Sequence, residues 1–312
     1  MPQLSIARLF EDTAEKLKLT WTAGLSGGTH ELNSDLIKGS SKGLIGHLNF
    51  IHPNWIQVLG PTEVEYLNRL DPASCRTILT EIAGRDLACF IIAQVDDPVL
   101  ALSEVADATL CPLFRSNVPS VELMWMLRPY LARALAESST QHGVLLDVLG
   151  MGVLITGASG VGKSELALEL ISRGSGLIAD DVIDLYRIGP ETIEGRCPPM
   201  LRDFLEVRGL GVLNIRTVFG EAALRPRKNI TLIVHMERPA PDHVPVERLP
   251  LRPGHEEIMG VRVSKVTIPV AAGRNLAVLT EAAVRNHVLQ VRGIDSTAEF
   301  IARQSSEMSG GS

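Results

Sequence analysis

Gly157-Ala158-Ser159-Gly160-Val161-Gly162-Lys163-Ser164 is the stretch on which the fold turns, and the sequence on both sides agrees with it. Gly152 to Thr156 in front of it is an apolar, strand-like run, and Ser164 to Ser172 behind it has helical spacing. A glycine-rich turn between a strand and a helix is a phosphate-binding loop. Its backbone N–H groups line a concave nest and the helix N-terminus adds positive potential. Lys163 reaches the β- and γ-phosphates, and the Ser164 hydroxyl can hold Mg²⁺. The expectation is an α/β fold that binds a nucleoside triphosphate.

Working outward, Gly143 to Val148 reads as a strand joined to the motif's own strand by a tight connection containing Gly150 and Gly152, a hairpin feeding the loop. Downstream, Leu177 to Ala179 is the next expected strand, followed by strands at 183–187, 192–195, 230–235 and 265–270 and an amphipathic helix from Leu279 to Val291. Upstream, residues 4–17 have helical apolar spacing. Ile56 to Leu59 is a short strand ending at Gly60-Pro61, after which Thr62 and Glu65 suggest a capping box. Asp71-Pro72 opens a further helix, Leu87 to Ala93 has the continuous apolar character of a strand covered on both faces, and Pro119 to Ala136 is a long helix. The polar Glu137-Ser138-Ser139-Thr140 then reads as a linker. Two domains are expected, an N-terminal α/β domain over 1–137 and a phosphate-loop domain over 138–312, with a disordered tail from about 305.

Composition limits the function classes. With 312 residues, 45% apolar and 21% charged, the chain can give each domain a core. A net charge of −6 and a pI near 5.8 argue against nucleic-acid binding. Arg225, Arg227 and Lys228 form a tight basic cluster that reads as a solvated turn. Cys75, Cys89, Cys111 and Cys197 lack Cys-x-x-Cys spacing, which disfavours zinc and points to reduced, buried thiols in a cytoplasmic protein. The apolar run Ala88 to Val95 is far shorter than a membrane span, and no basic-then-apolar leader is visible, so neither secretion nor membrane insertion is expected.

Several residues could do chemistry beside the loop. His142 stands just before the strand that precedes the loop, where strand-end residues face the ligand crevice, and Asp147 lies five residues later. Asp180-Asp181 follows a short apolar run, the place where nucleotide hydrolases hold Mg²⁺, and the two acids can divide metal binding from base catalysis. Leu205-Glu206-Val207-Arg208-Gly209-Leu210-Gly211-Val212-Leu213-Asn214 carries an acid and a base two residues apart, on one face if the segment is a strand. A cross-strand salt bridge is the plainer reading of that pair. Pro269-Val270-Ala271-Ala272-Gly273-Arg274-Asn275 is turn-like, and Arg248 read alone is an exposed arginine.

Taken in order, these segments resemble the bacterial HPr kinase/phosphorylase family, which acts on the phosphocarrier protein HPr. The likeness rests on residues 142–147, 152–165, 177–181, 206–214 and 268–275, and residues 56–67 extend it into the N-terminal half. It implies a phosphoenolpyruvate-carboxykinase-like nucleotide-binding core, ATP and Mg²⁺ as cofactors, and a homohexamer. By the same resemblance Ser164 and Glu206 would hold Mg²⁺ and Lys163 the nucleotide phosphates. His142 would sit beside the transferring phosphate, and Asp181 would be general base towards the HPr serine. In reverse, inorganic phosphate would attack phosphoserine to give pyrophosphate, with Arg248, or Arg252 as the rival arginine, and the loop 269–274 stabilising charge. From the residues alone, a small-molecule kinase and a non-catalytic ATP-sensing protein stay open, whereas a GTPase lacks its guanine-reading Asn-Lys-x-Asp.

Overall fold

The computed structural model describes residues 2–84, 86–95, 100–238, 254–271 and 273–310. The chain divides into two compact units, Met1–Glu137 and Ser138–Ser312.

In the first unit the elements run β1 (Gln3–Ser5), α1 (Ile6–Leu17), β2 (Thr20–Ala23), β3 (Glu31–Asn33), α2 (Ser34–Lys38), β4 (Ile45–His47) and β5 (Ile56–Leu59). They continue with α3 (Pro61–Arg69), α4 (Pro72–Ala83), β6 (Cys89–Ala93), α5 (Leu100–Ala108), β7 (Leu113–Ser116) and α6 (Ser120–Ala134). Strands order as β2-β7-β6-β5-β4, parallel except for β2. The uninterrupted apolar run of β6 has a direct cause: Cys89, Ile91 and Ala93 join one core while Phe90 and Ile92 join the other. A strand covered on both faces has no polar side to show. The helix starts follow local chemistry. Asp71 caps α4 through the N–H groups of Ala73 and Ser74. At α3 the sequence expectation is displaced: Glu63, not Glu65, accepts the Gly60 N–H at 2.9 Å, because the helix begins at Pro61, and Glu65 instead pairs with Arg69.

The second unit holds β8 (Glu137–Val148), β9 (Met151–Gly157), α7 (Lys163–Ser172), β10 (Gly176–Gly189), β11 (Thr192–Arg196), β12 (Phe204–Val207), β13 (Gly211–Asn214) and α8 (Ile215–Phe219). Then come β14 (Arg227–Glu237), β15 (Gly254–Ile258), β16 (Val261–Pro269), α9 (Leu276–Val291) and α10 (Ser296–Gly310). The seven-stranded sheet orders as β11-β10-β8-β9-β14-β16-β15, and β11 also pairs with the first residues of β14, Glu194 with Asn229 through Arg196 with Arg227. The sheet therefore curls into a ring of β8, β9, β14, β11 and β10. Its inner face packs Leu145, Leu154, Ile183, Leu185 and Ile233 together. The outer face of β8 and β9 (Val144, Leu146, Val153 and Ile155) is covered by Leu166 and Leu170 of α7 and by Ala277 and Val284 of α9.

Several expectations are corrected. The polar 137–140 stretch is the beginning of β8, not a free linker. The hairpin turn is Leu149-Gly150, both with positive φ, as a two-residue type I′ connection requires. Gly152 lies inside β9, where a Cβ would stand 1.9 Å from the Asn229 carbonyl oxygen. Strands expected at 177–179 and 183–187 are one strand, β10, so Asp180 and Asp181 sit within it and not at its end. Arg227 and Lys228 belong to β14, and the helix α10 continues to Gly310 where a disordered tail was expected. Among the described residues no helix is long and apolar enough to cross a membrane.

Candidate active site

The loop Gly157–Ser164 emerges from β9 and runs into α7, with Gly157, Gly160 and Gly162 all at positive φ (144°, 71° and 108°). That sequence of conformations turns successive N–H groups inward, and glycine adopts it without a Cβ clash. Lys163 folds back over the loop, donating to the carbonyls of Gly157 (3.1 Å) and Ala158 (3.2 Å).

β10 brings two adjacent carboxylates to this loop, and strand alternation gives them different surroundings. Asp180 is 7% exposed: its Oδ1 accepts the Ser164 hydroxyl at 3.2 Å and its Oδ2 accepts the Glu206 backbone N–H at 2.9 Å. Burial pushes the Asp180 carboxyl pKa up, against the downward pull of those two hydrogen bonds. Asp181, next in the strand, has a 74% exposed side chain and a left-handed backbone at φ 64°. A positive φ at a non-glycine residue is a strained conformation of the kind found at functional sites.

His142 comes to the same place through register. β8 pairs Val144 with Ile155 just ahead of the loop, and His142 lies on β8 two residues before Val144. Its Nδ1 donates to the Asp181 carbonyl oxygen at 3.1 Å and stands 3.5 Å from Asp181 Oδ1. With the proton on Nδ1, the neutral ring keeps Nε2 as an acceptor.

A cavity of about 190 Å³ joins the loop to both carboxylates; besides loop residues it is lined by Glu165, Asp180, Asp181, Glu206 and Arg208, while His142 stands behind Asp181 and outside the lining. Of the segment 205–214, then, two side chains reach the cavity. Leu205 and Val207 are buried in the core, Leu210, Gly211 and Val212 are exposed, and Asn214 caps α8 by accepting the Thr217 N–H. Arg208 lies in the turn beyond β12, and the residue facing Glu206 across the hairpin is Val212, so the plainer reading of Glu206 and Arg208 as a cross-strand salt bridge fails.

Other expected residues lie elsewhere. Asp147 points away from the loop: its carboxylate pairs with Lys228 at 2.9 Å and Arg225 at 3.5 Å, which also accounts for much of the basic cluster. The loop 269–274 borders a second cavity, of about 450 Å³, where Gly273, Arg274, Asn275 and Leu276 face Glu165, Leu166 and Glu169 of α7. The two cavities share Gly162 and Glu165. Arg248, Arg252 and Ala272 lie outside the described residues. The sequence assigns metal binding and base catalysis to Asp180 and Asp181 as a pair; which member faces Ser164 depends on the face of β10 that meets α7. Among the described residues no group of three or more His, Cys, Asp or Glu side chains is arranged to hold a metal.

Comparison with known proteins agrees along the whole chain. Residues 4–131 match the family model described as HPr Serine kinase N terminus, and residues 133–304 match HPr Serine kinase C-terminal domain. A Nitrosomonas europaea protein named HPr kinase/phosphorylase is 59% identical over 99% of this chain and 96% of its own length. A Chromobacterium violaceum protein of the same name is 52% identical over 97% and 95%. A solved structure titled Hpr(Ser) kinase/phosphatase from Coxiella burnetii is 38% identical, covering 52% of this chain and 98% of that one, with a TM-score of 0.46. With both of its units matched, this chain belongs to the HPr serine kinase family.

Proposed function

We propose that this protein transfers the γ-phosphoryl group of ATP to a serine of HPr and, with inorganic phosphate as acceptor, removes it again as pyrophosphate. The observation that best supports this reading is a single cavity where a phosphate loop, a buried carboxylate on Ser164 and an exposed carboxylate at Asp181 meet. In the forward direction the serine oxygen attacks the γ-phosphorus, the bond to the β-phosphate oxygen breaks, and Asp181 takes the hydroxyl proton. In reverse a phosphate oxygen attacks the phosphoserine phosphorus, the serine oxygen leaves, and Asp181 returns the proton. Exposure suits Asp181 to that role, because a serine on a folded protein can reach only a group open to solvent.

Lys163 would leave the Gly157 and Ala158 carbonyls to hold the nucleotide phosphates, and His142 steadies the Asp181 backbone. Ser164, Asp180 and Glu206 present hard oxygen donors, the set that suits Mg²⁺ with phosphate oxygens completing its shell. When bound, Mg²⁺ would supply neutralisation of the β/γ oxygens. Residues 138–312 form the catalytic domain in this reading and 1–137 a separate N-terminal domain. Arg248 or Arg252, with the loop 269–274, would stabilise charge in the reverse reaction. A cytoplasmic homohexamer is the expected working form. The test is incubation with HPr, ATP and Mg²⁺, then with phosphate, following phosphoserine by intact mass and pyrophosphate by a coupled assay. ATP binding without phosphoserine on HPr would falsify the reading.

A further inference from the structure

We propose that Arg238 is a positioning residue of the phosphate loop, one that holds the Gly160–Val161 peptide in a single orientation before nucleotide arrives. The proposal rests on the reading of this loop as the nucleotide cradle. Arg238 is exposed, the first residue past β14, and its guanidinium donates to the Gly160 carbonyl at 2.6 Å, a charge-assisted bond across 78 residues of sequence.

Register explains how it gets there. β14 runs parallel to β9 with Met236 beside Gly157, so the chain two residues on stands alongside the loop itself. The contact is close: a Cβ on Gly157 would meet the Met236 carbonyl oxygen at 2.5 Å, and one on Gly162 would touch Met236 Cε at 3.9 Å. The peptide that Arg238 grips is also held at its other end, where the Val161 N–H donates to the Ala158 carbonyl at 3.2 Å. Both poles of one peptide plane are thereby fixed, in the part of the loop that must present N–H groups to phosphate. Arg208 approaches the same glycine from the cavity side, its guanidinium 3.3 Å from where a Gly160 Cβ would be.

The test uses the full chain, with a non-hydrolysable ATP analogue titrated calorimetrically in Mg²⁺ and steady-state phosphorylation of HPr measured alongside. Arg238→Ala should weaken analogue binding about tenfold and raise KM for ATP in step, the size expected for one charge-assisted bond, with kcat within about twofold of the parent. Arg238→Lys should recover part of the loss, added methylguanidine should lower the KM of Arg238→Ala alone, and the thermal midpoint should not move. Unchanged analogue affinity in Arg238→Ala, or a loss confined to kcat, overturns the proposal and leaves the nucleotide reading standing. Failure of the parent itself to bind the analogue overturns that reading and the proposal with it.

Discussion

Adjacent carboxylates in one strand end in opposite environments, and the proposed chemistry rests on that contrast. Asp180 turns into the protein, where burial raises its pKa, and Asp181 turns out to solvent. Because Asp181 sits at φ 64°, asparagine, which tolerates the left-handed region, is the substitution that isolates its chemistry. Asp181→Asn should lower phosphoserine formation by roughly 10²–10⁴-fold while analogue binding stays within about twofold, measured by calorimetry and intact mass. A variant that phosphorylates HPr at the parent rate removes Asp181 as the base. At this scale the loop was fully legible, because eight consecutive residues encode their own backbone conformation. The inward role of Asp180 was not, since a strand's two faces are alike until something packs on one of them.

Elements were legible where a pattern is local. The cap of α4, the doubly buried run of β6 and the helical spacing of α1 all follow from neighbours within a few residues. The hairpin into the loop was legible too, but the work of its two glycines differs. Gly150 has open space around it and a positive φ, while Gly152 has no room for a Cβ beside Asn229. Gly150→Ala should cost about 1 kcal/mol through backbone strain. Gly152→Ala should cost roughly 1–3 kcal/mol through overpacking against backbone that cannot rotate away. Urea midpoints compare the two, and equal losses would remove the packing explanation. In α9, Ala277, Thr280, Val284 and His287 share the buried face, and burial lowers the pKa of His287 from 6.5. The unfolded chain then binds the proton more readily than the folded one, so stability should hold above pH 6.5 and fall as pH drops below it. His287→Gln should flatten that slope in denaturation measured across pH.

At the scale of the molecule, every residue lining the 190 Å³ cavity belongs to the second unit. A fragment of residues 135–312 should therefore bind the ATP analogue within about threefold of the full chain, since preformed contacts are retained. A fragment that folds but binds at least tenfold more weakly would show that the cradle depends on the N-terminal unit. What the sequence by itself determined was the glycine-rich turn, its flanking strand and helix, and the family the motifs belong to. These are encoded in short runs whose conformation and spacing do not depend on distant residues. Only the tertiary structure decided that β11 closes the sheet onto β14, that Asp147 serves an ion pair and not the site, and that Arg238 reaches Gly160. Each of those contacts joins residues far apart in the chain, and which partners meet is set by strand order and register, quantities that side-chain patterns within a single segment do not contain.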